Sequence, residues 1–246
     1  MINDQVVQIT EVLNRSVQGR TLPFRCRGAD GRQYYVKGRG AGRRSLIAEW
    51  LACNMAKEFG LPVAEFRVVE VPEALAQLGL PEFDELGVGY AFGSLISEHV
   101  IDLPFSYIDR VPAMLRRDIA VFDWWVKNGD RNLTANGGNV NLLWQVVQQE
   151  LVVIDYNLAF DDTFDASDFL ATHVFAQDWN DVYQDYIARP EYMQRMKGAL
   201  LQFDRAYDQM PEDWLEAAPG VPALISPQQV KAVLESVDLE IFWNMP

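Results

Sequence analysis

The sequence predicts an α+β protein with a β-rich amino-terminal part and a mainly helical carboxy-terminal part. Up to about residue 100, short strand-like runs separated by turn residues surround one amphipathic helix. Beyond that point apolar residues recur mainly at helical spacing, interrupted by two short apolar strands. A chain of 246 residues can form one large domain or two closely packed lobes. We place the boundary near residue 100, where a predicted strand leads into a connector, and expect one unit over residues 1–100 and a second over residues 101–246.

The composition is that of a folded, acidic chain and excludes several functional classes. A net charge of −14 argues against a surface that binds nucleic acid or anionic lipid directly. No apolar run approaches the roughly 20 residues that cross a bilayer, and no secretion signal is visible, so we expect a cytoplasmic protein without a membrane partner. Cys26 and Cys53 are too few for a disulfide framework. His99 and His173 leave no cluster for zinc and lie in no recognisable catalytic setting.

The first forty residues predict a small antiparallel sheet. Residues 24–27 and Gln33–Lys37 favour strands, and Asp30-Gly31 between them is typical of a tight hairpin. Residues 5–17 fit a strand or a helix, and the pattern leaves both open.

A basic group follows this hairpin in an otherwise acidic chain. It consists of Arg32, Lys37, Arg39, Arg43 and Arg44. Such a group indicates either an anion-binding site or arginines that pair with surplus carboxylates, and spacing does not separate the two.

Arg43–Phe59 is the clearest predicted helix. The apolar residues at helical spacing are Ile47, Trp50, Leu51 and Met55. Gly60 and Pro62 end the run, and Glu49 lies at the edge of the apolar stripe. The alternation over residues 62–71 then predicts a strand, residues 72–86 a helical or irregular insertion, and residues 87–100 a strand leading into a connector.

The remaining elements are mainly helical. Leu115, Ile119, Phe122 and Val126 predict a helix that ends at residues 128–129, and Asp123 within it is a candidate buried structural acid. Further helices are expected over residues 178–188 and 190–207. Ser226-Pro227 is typical of the start of a last helix.

Residues 122–160 contain the residues that indicate chemistry. Asp130-Arg131 follows the helix, Asn139-Val140-Asn141-Leu142-Leu143 follows next, and an apolar run ends at Asp155. A phosphoryl-transfer site needs one carboxylate to orient a hydroxyl, and an amide oxygen with a second carboxylate to hold Mg²⁺. We interpret Asp130 as the base, and Asn139 and Asp155 as the metal ligands. A hairpin with Asp130 at its start and Asp155 just past its end would bring them together.

Each of these residues also has a structural interpretation. Asp130 and Asn139 suit turns, and Asp155 suits the polar end of a buried strand. For any one of them the structural interpretation is the simpler one, whereas the occurrence of all three in this order favours the chemical one.

The Asp-Arg pair, the Asn-x-Asn-Leu-Leu run and the apolar-Ile-Asp ending at residue 155 resemble the catalytic and metal-binding segments of HipA-like kinases. These are bacterial relatives of the protein and phosphoinositide kinases. The resemblance implies a bilobal protein-kinase-like fold, with ATP and Mg²⁺ as cofactors. It implies that Lys37 reaches the nucleotide phosphates and that Glu49 pairs with Lys37. The turn that covers the phosphates would comprise Gly19, Arg20 and Thr21.

The activity implied is transfer of the γ-phosphate to a serine or threonine hydroxyl, with a protein as the expected acceptor. Members of the family often act as toxins or regulators, restrained by a partner protein or by self-phosphorylation.

The sequence departs from the family pattern at two places. Asn139 lies nine residues after Asp130, where members have about five, so residues 135–138 resemble an insertion and Asn136 competes for the ligand role. Tyr156-Asn157 replaces a common His-Gly, although Asn tolerates the left-handed backbone conformation. These differences keep open a pseudokinase or antitoxin-type module that binds nucleotide or a partner. A small-molecule kinase is a further alternative, because a kinase-like fold does not fix the acceptor.

Overall fold

The computed structural model describes residues 6–16, 22–79, 82–133, 137–218, 220–238 and 240–243. A closed five-stranded sheet forms the first part of the chain. Its strands are β1 (Val7–Arg15), β2 (Phe24–Gly28), β3 (Gln33–Lys37), β4 (Phe66–Val71) and β5 (Gly89–Leu95), in the order β1-β2-β3-β5-β4. β1 pairs in parallel with β4 and closes the sheet, while the other pairs are antiparallel.

The sheet agrees with most of the sequence-based expectations. The β2–β3 hairpin is confirmed, and the segment left open at residues 5–17 contains a strand. The strand expected over residues 62–71 is shorter, since β4 begins only at Phe66. The alternating inward residues of the strands, such as Ile9, Tyr34 and Val69, are fully buried and fill the interior of the closed sheet.

The helix α1 (Arg43–Phe59) has the predicted bounds, and Gly60 ends it with φ of 100°. A left-handed residue of this kind is the usual stop for a helix, and glycine adopts it without strain. Trp50 of α1 packs against the sheet at Phe66 and donates its indole N–H to the carbonyl of Ala206. The helix is therefore buried between the sheet and the carboxy-terminal helices. Two short helices, α2 (Glu73–Ala76) and α3 (Phe83–Leu86), lie in the expected irregular segment.

A three-stranded antiparallel sheet follows. Its strands are β6 (Val100–Asp102), β7 (Leu142–Gln145) and β8 (Glu150–Val153), and the helix α4 (Ala113–Trp125) precedes the hairpin. The expectation that Asp130 starts the hairpin was wrong. β7 begins at Leu142, so Asp130 lies in the connection between α4 and β7.

The rest of the described chain is mainly helical. It contains α5 (Ala166–Thr172), α6 (Ala176–Gln184), α7 (Arg189–Leu200), α8 (Phe203–Asp208), β9 (Glu216–Ala218), β10 (Val221–Pro222) and α9 (Pro227–Glu235). The single helix expected over residues 190–207 is two helices with a turn at 201–202, and the helix expected over 178–188 is shifted towards the amino terminus. Ser226 caps α9 as predicted, in a reciprocal pair with Gln229.

One hydrophobic core joins α1, α4 and the carboxy-terminal helices. Phe59 at the end of α1 packs on Phe122, Trp125 and Tyr192, which come from α4 and α7. Among the described residues, no helix has both the length and the apolar character needed to cross a membrane.

Candidate active site

Lys37, Glu49 and Asp155 come from three distant parts of the chain and meet at one point. Lys37 ends β3, Glu49 lies in the middle of α1, and Asp155 follows β8. The ammonium Nζ of Lys37 is 2.8 Å from Glu49 Oε2 and 2.7 Å from Asp155 Oδ1. The expected pairing of Lys37 with Glu49 is present, and its role in catalysis stays a prediction.

The electrostatics of this cluster follow from its burial. Burial alone would lower the pKa of Lys37, but the two carboxylates outweigh burial and hold the pKa above its usual value. Burial raises the pKa of Glu49 to about 7, with the Lys37 ammonium opposing the rise. The ammonium of Lys37 is therefore the shared partner of two carboxyl groups, those of Glu49 and Asp155. Asp155 is the more exposed of the two acids, so it is the one that a cation from solvent would reach.

Arg44 holds the backbone that follows Asp155. Its guanidinium donates to the carbonyls of Asn157 and Ala159 at 3.0 and 3.1 Å, which ties this segment to α1. Asn157, which could tolerate the left-handed conformation, does not adopt it. Asp155 itself has φ of 60°, a conformation that costs a non-glycine residue roughly 1 kcal/mol or more.

Asp130 lies next to two asparagines. Asn139 and Asn141 donate their side-chain N–H groups to Asp130 Oδ2 at 2.8 and 3.2 Å. Burial raises the pKa of Asp130, the Asn139 hydrogen bond opposes this rise, and the charge of Asp155 adds to it. Because each amide uses its NH₂ group on Asp130, its oxygen is the atom left to bind a cation.

Arg131 connects this loop to both strands of the hairpin. It is fully buried, and its Nε is 2.6 Å from Asp123 Oδ2. Its Nη1 donates to the carbonyl of Asn141, which directly precedes β7, and to the carbonyl of Ile154, which directly precedes Asp155. The prediction of Asp123 as a buried structural acid is confirmed, since it is completely inaccessible. A paired buried charge of this kind fixes the relative position of three chain segments.

Sequence reasoning assigned no individual role to Asn141 or Arg131, and it considered Arg44 only as a member of the basic group. Asn141 was visible only as part of the Asn-x-Asn-Leu-Leu run, and its position directly before a buried strand was the signal that could have selected it. Arg44 and Arg131 act on backbone carbonyls of remote residues, which a sequence pattern does not reveal.

The basic group pairs largely within the protein. Arg32 contacts Asp30 and Glu65, and Arg43 contacts Asp213. These ion pairs agree with the interpretation that the arginines pair with surplus carboxylates. Anion binding by the basic group stays a prediction.

Four residues with assigned roles fall outside the part of the chain that the structure describes. They are Gly19, Arg20, Thr21 and Asn136. Their roles stay predictions.

The donor set fits a hard divalent cation that also takes oxygens from a nucleotide. Within the described ranges no group of three or more His, Cys, Asp or Glu side chains could hold a metal by itself. Asp155 with an asparagine oxygen would supply two oxygen ligands, and Mg²⁺ bound with nucleotides characteristically completes its shell with water and phosphate.

The sequence profile of the HipA-like kinases matches residues 9–246, nearly the whole chain. The chain belongs to the HipA-like kinase family. Family membership supports a kinase function and implies ATP and a divalent metal as cofactors. A comparison with curated protein sequences gave no match.

This HipA-like kinase is also similar in structure to a proinflammatory kinase of Helicobacter pylori, CtkA. The TM-score is 0.52 at 12% identity, over 96% of this chain and 95% of that chain. At this identity the likeness shows the fold alone, which is α+β and kinase-like.

Replacing Glu49 with glutamine should lower turnover about 10- to 100-fold. Glutamine keeps the size of the side chain and one acceptor oxygen but loses the charge, so Asp155 would be the one charged partner left to Lys37 in this cluster. ADP formation and thermal unfolding measure the two effects. Glu58→Gln, an exposed change on the same helix, is the matched control. Wild-type turnover in Glu49→Gln would show that turnover does not require the charge of Glu49 beside Lys37.

Proposed function

We propose that this HipA-like kinase transfers the γ-phosphate of ATP, with Mg²⁺, to a serine or threonine hydroxyl of a protein. The observation that carries the proposal is the placement of Lys37 between Glu49 and Asp155, with Asp130 close enough for Asp155 to raise its pKa. Four groups of the types that phosphoryl transfer requires are thus brought together from separate segments.

We assign the proposed roles in nucleotide and metal binding to the two parts of the fold. The closed sheet and α1, up to about residue 100, form an amino-terminal lobe, and the remainder forms a carboxy-terminal lobe. Lys37 binds the nucleotide phosphates, and the turn with Gly19, Arg20 and Thr21 covers them. Asp155 and an asparagine oxygen would hold Mg²⁺, and the bound ion would neutralise charge on the phosphate oxygens.

Asp130 is proposed to act on the acceptor. It accepts the proton of the acceptor hydroxyl as the oxygen bonds to the γ-phosphorus and ADP leaves. Its raised pKa suits this role, because a stronger base holds that proton more readily. The amides of Asn139 and Asn141 fix the direction of the carboxylate.

The setting of the reaction is inferred from the family. We place the enzyme in the cytoplasm, with a role as a toxin or regulator that a partner protein or self-phosphorylation restrains.

Either asparagine could supply the amide oxygen, and a pair of variants separates them. Asn139 was the residue predicted from sequence, but its side chain is exposed, whereas Asn141 is 9% exposed and its carbonyl is held by Arg131. We therefore expect Asn141→Ala to raise the Mg²⁺ concentration for half-maximal turnover about tenfold, and Asn139→Ala to raise it less. If Asn139→Ala raised this Mg²⁺ concentration more than Asn141→Ala, Asn139 would be the residue that supplies the amide oxygen.

Intact-mass analysis after incubation with ATP and Mg²⁺, with ADP measured in the same samples, tests the proposal. Added phosphate in the wild type and none in Asp130→Ala supports a kinase that modifies itself. ADP formed only when a protein extract is added supports an external acceptor. Nucleotide binding without ADP formation, with or without extract, would overturn the proposal in favour of a pseudokinase. ADP formation stimulated by small metabolites alone would favour a small-molecule kinase.

A further inference from the structure

His173 lies beside the loop that contains Asp130, and it forms an isolated β-bridge with Asn132 of that loop. Its side chain is 1% exposed, and its Nε2 is 2.9 Å from Asp123 Oδ2. Its Nδ1 accepts a hydrogen bond from the backbone N–H of Phe175 at 3.1 Å. A ring nitrogen that accepts cannot also hold a proton, so the ring is neutral with its N–H on Nε2, and it donates to Asp123.

Asp123 shares its carboxylate among three donors. Oδ2 accepts from His173 and from Arg131, and Oδ1 accepts from Asn128 at 3.1 Å. Burial would raise the pKa of Asp123, but Arg131 and His173 outweigh it and hold the pKa below its usual value. The carboxylate is therefore charged, and removing one donor leaves a buried charge incompletely solvated.

The residues on both sides of His173 bond to the same loop. We call residues 172–174 the docking segment. The backbone N–H of Val174 donates to the carbonyl of Arg131 at 3.0 Å. The hydroxyl of Thr172 lies 2.9 Å from Asn132 Oδ1 and 2.8 Å from the carbonyl oxygen of Asp168, so its one proton is shared between these two acceptors. The docking segment thus fixes the carbonyl of Arg131 directly and its guanidinium through the buried carboxylate.

We propose that His173 is a positioning residue that, through Arg131, fixes the loop bearing Asp130. Asp130 is the peptide neighbour of Arg131, so any rotation of the loop moves its carboxylate relative to the acceptor hydroxyl. The inference rests on the proposed function, because positioning matters only if Asp130 acts on an acceptor. It makes transfer depend on the docking of residues 172–174, far along the chain from the loop.

His173 itself is not placed to exchange protons with a substrate. Burial, opposed by the Asp123 contact, lowers the pKa of the ring, and both ring nitrogens already have partners inside the protein. Its effect on transfer is therefore indirect.

His173→Phe is the direct test. Phenylalanine keeps a ring to stack on Phe169, whose ring lies 4.3 Å from that of His173, but it donates nothing to Asp123. We expect kcat for ADP formation to fall about 10- to 100-fold, while KM for ATP and Kd for ADP with Mg²⁺ stay within about twofold. His173→Gln offers an amide N–H at a similar reach and should recover most of kcat. His99→Gln, an exposed change at the second histidine, should leave kcat unchanged.

Thr172→Val tests the same docking without placing a change in the core. Thr172 is exposed, so the variant should fold even if His173→Phe does not, and kcat should fall about threefold with KM unchanged. Wild-type kcat in His173→Phe or in Thr172→Val would overturn the inference. So would a loss of kcat and nucleotide affinity in proportion to the unfolded fraction.

Amide hydrogen exchange separates this inference from the proposed function. His173→Phe should speed exchange at residues 130–133 at least about tenfold, and His173→Gln should restore protection. A wild type that binds nucleotide but forms no ADP, with or without a protein extract, would overturn the proposed function on its own. The exchange result would then show whether the docking segment orders the loop, and unchanged protection in His173→Phe would overturn the coupling.

Discussion

Asp130→Ala is expected to reduce transfer by at least about 10³-fold, which is within the range for losing a positioned general base. The variant should fold as well as the wild type, with a free energy of unfolding within about 1 kcal/mol. The reason is that Asp130 is partly buried with a raised pKa and lies close enough to Asp155 to feel its charge. Removing it gives up two amide hydrogen bonds but relieves desolvation and like-charge repulsion.

The measurement is ADP formation together with intact mass, at an enzyme concentration where a 10³-fold loss is still visible. Asp162→Ala, which removes an exposed acid elsewhere in the same part of the chain, controls for the change in net charge. Nucleotide affinity should be retained in Asp130→Ala, since Lys37 and Asp155 are intact. Normal turnover in this variant would remove Asp130 from the role of base.

The elements that local pattern determines were predicted well. The helix α1 has its predicted bounds because apolar spacing and Gly60 act within a few residues of each other. The capping pair at Ser226 is equally local. The partnership of Lys37 with Glu49 was predicted from family resemblance and not from any local signal.

The parts that failed depend on tertiary contacts. Apolar spacing continues across residues 201–202, so the turn between α7 and α8 was invisible in the pattern. The left-handed residue at Asp155 is held by Lys37 and by the segment that Arg44 binds. Which residue adopts φ near 60° was therefore decided by remote partners. Similarly, His173 was set aside for lacking a catalytic setting, because its partner Asp123 is fifty residues away.

Asp155→Asn is the change expected to have the second large effect, and it separates metal binding from nucleotide binding. Turnover should fall at least about 10²-fold, because asparagine has the size of aspartate but offers a cation a neutral oxygen. Binding of ADP with Mg²⁺ should weaken about tenfold or more. Binding of ADP without Mg²⁺ should hold steady or tighten, since the change removes a negative charge beside the phosphates and frees Lys37 of one carboxylate.

Calorimetric titration of ADP, once with Mg²⁺ and once with chelator, measures both affinities. The decisive quantity is the ratio of the affinity with Mg²⁺ to the affinity without it. Lys37 retains Glu49 as a partner in Asp155→Asn, so the fold should persist. Asp162→Asn is the matched exposed control. If Asp155→Asn kept the wild-type ratio, Asp155 would act only as a structural partner of Lys37, and the metal site would have to be sought elsewhere. A ratio that collapses towards one would instead assign the metal to Asp155, because no other change in the variant distinguishes metal-bound from metal-free nucleotide.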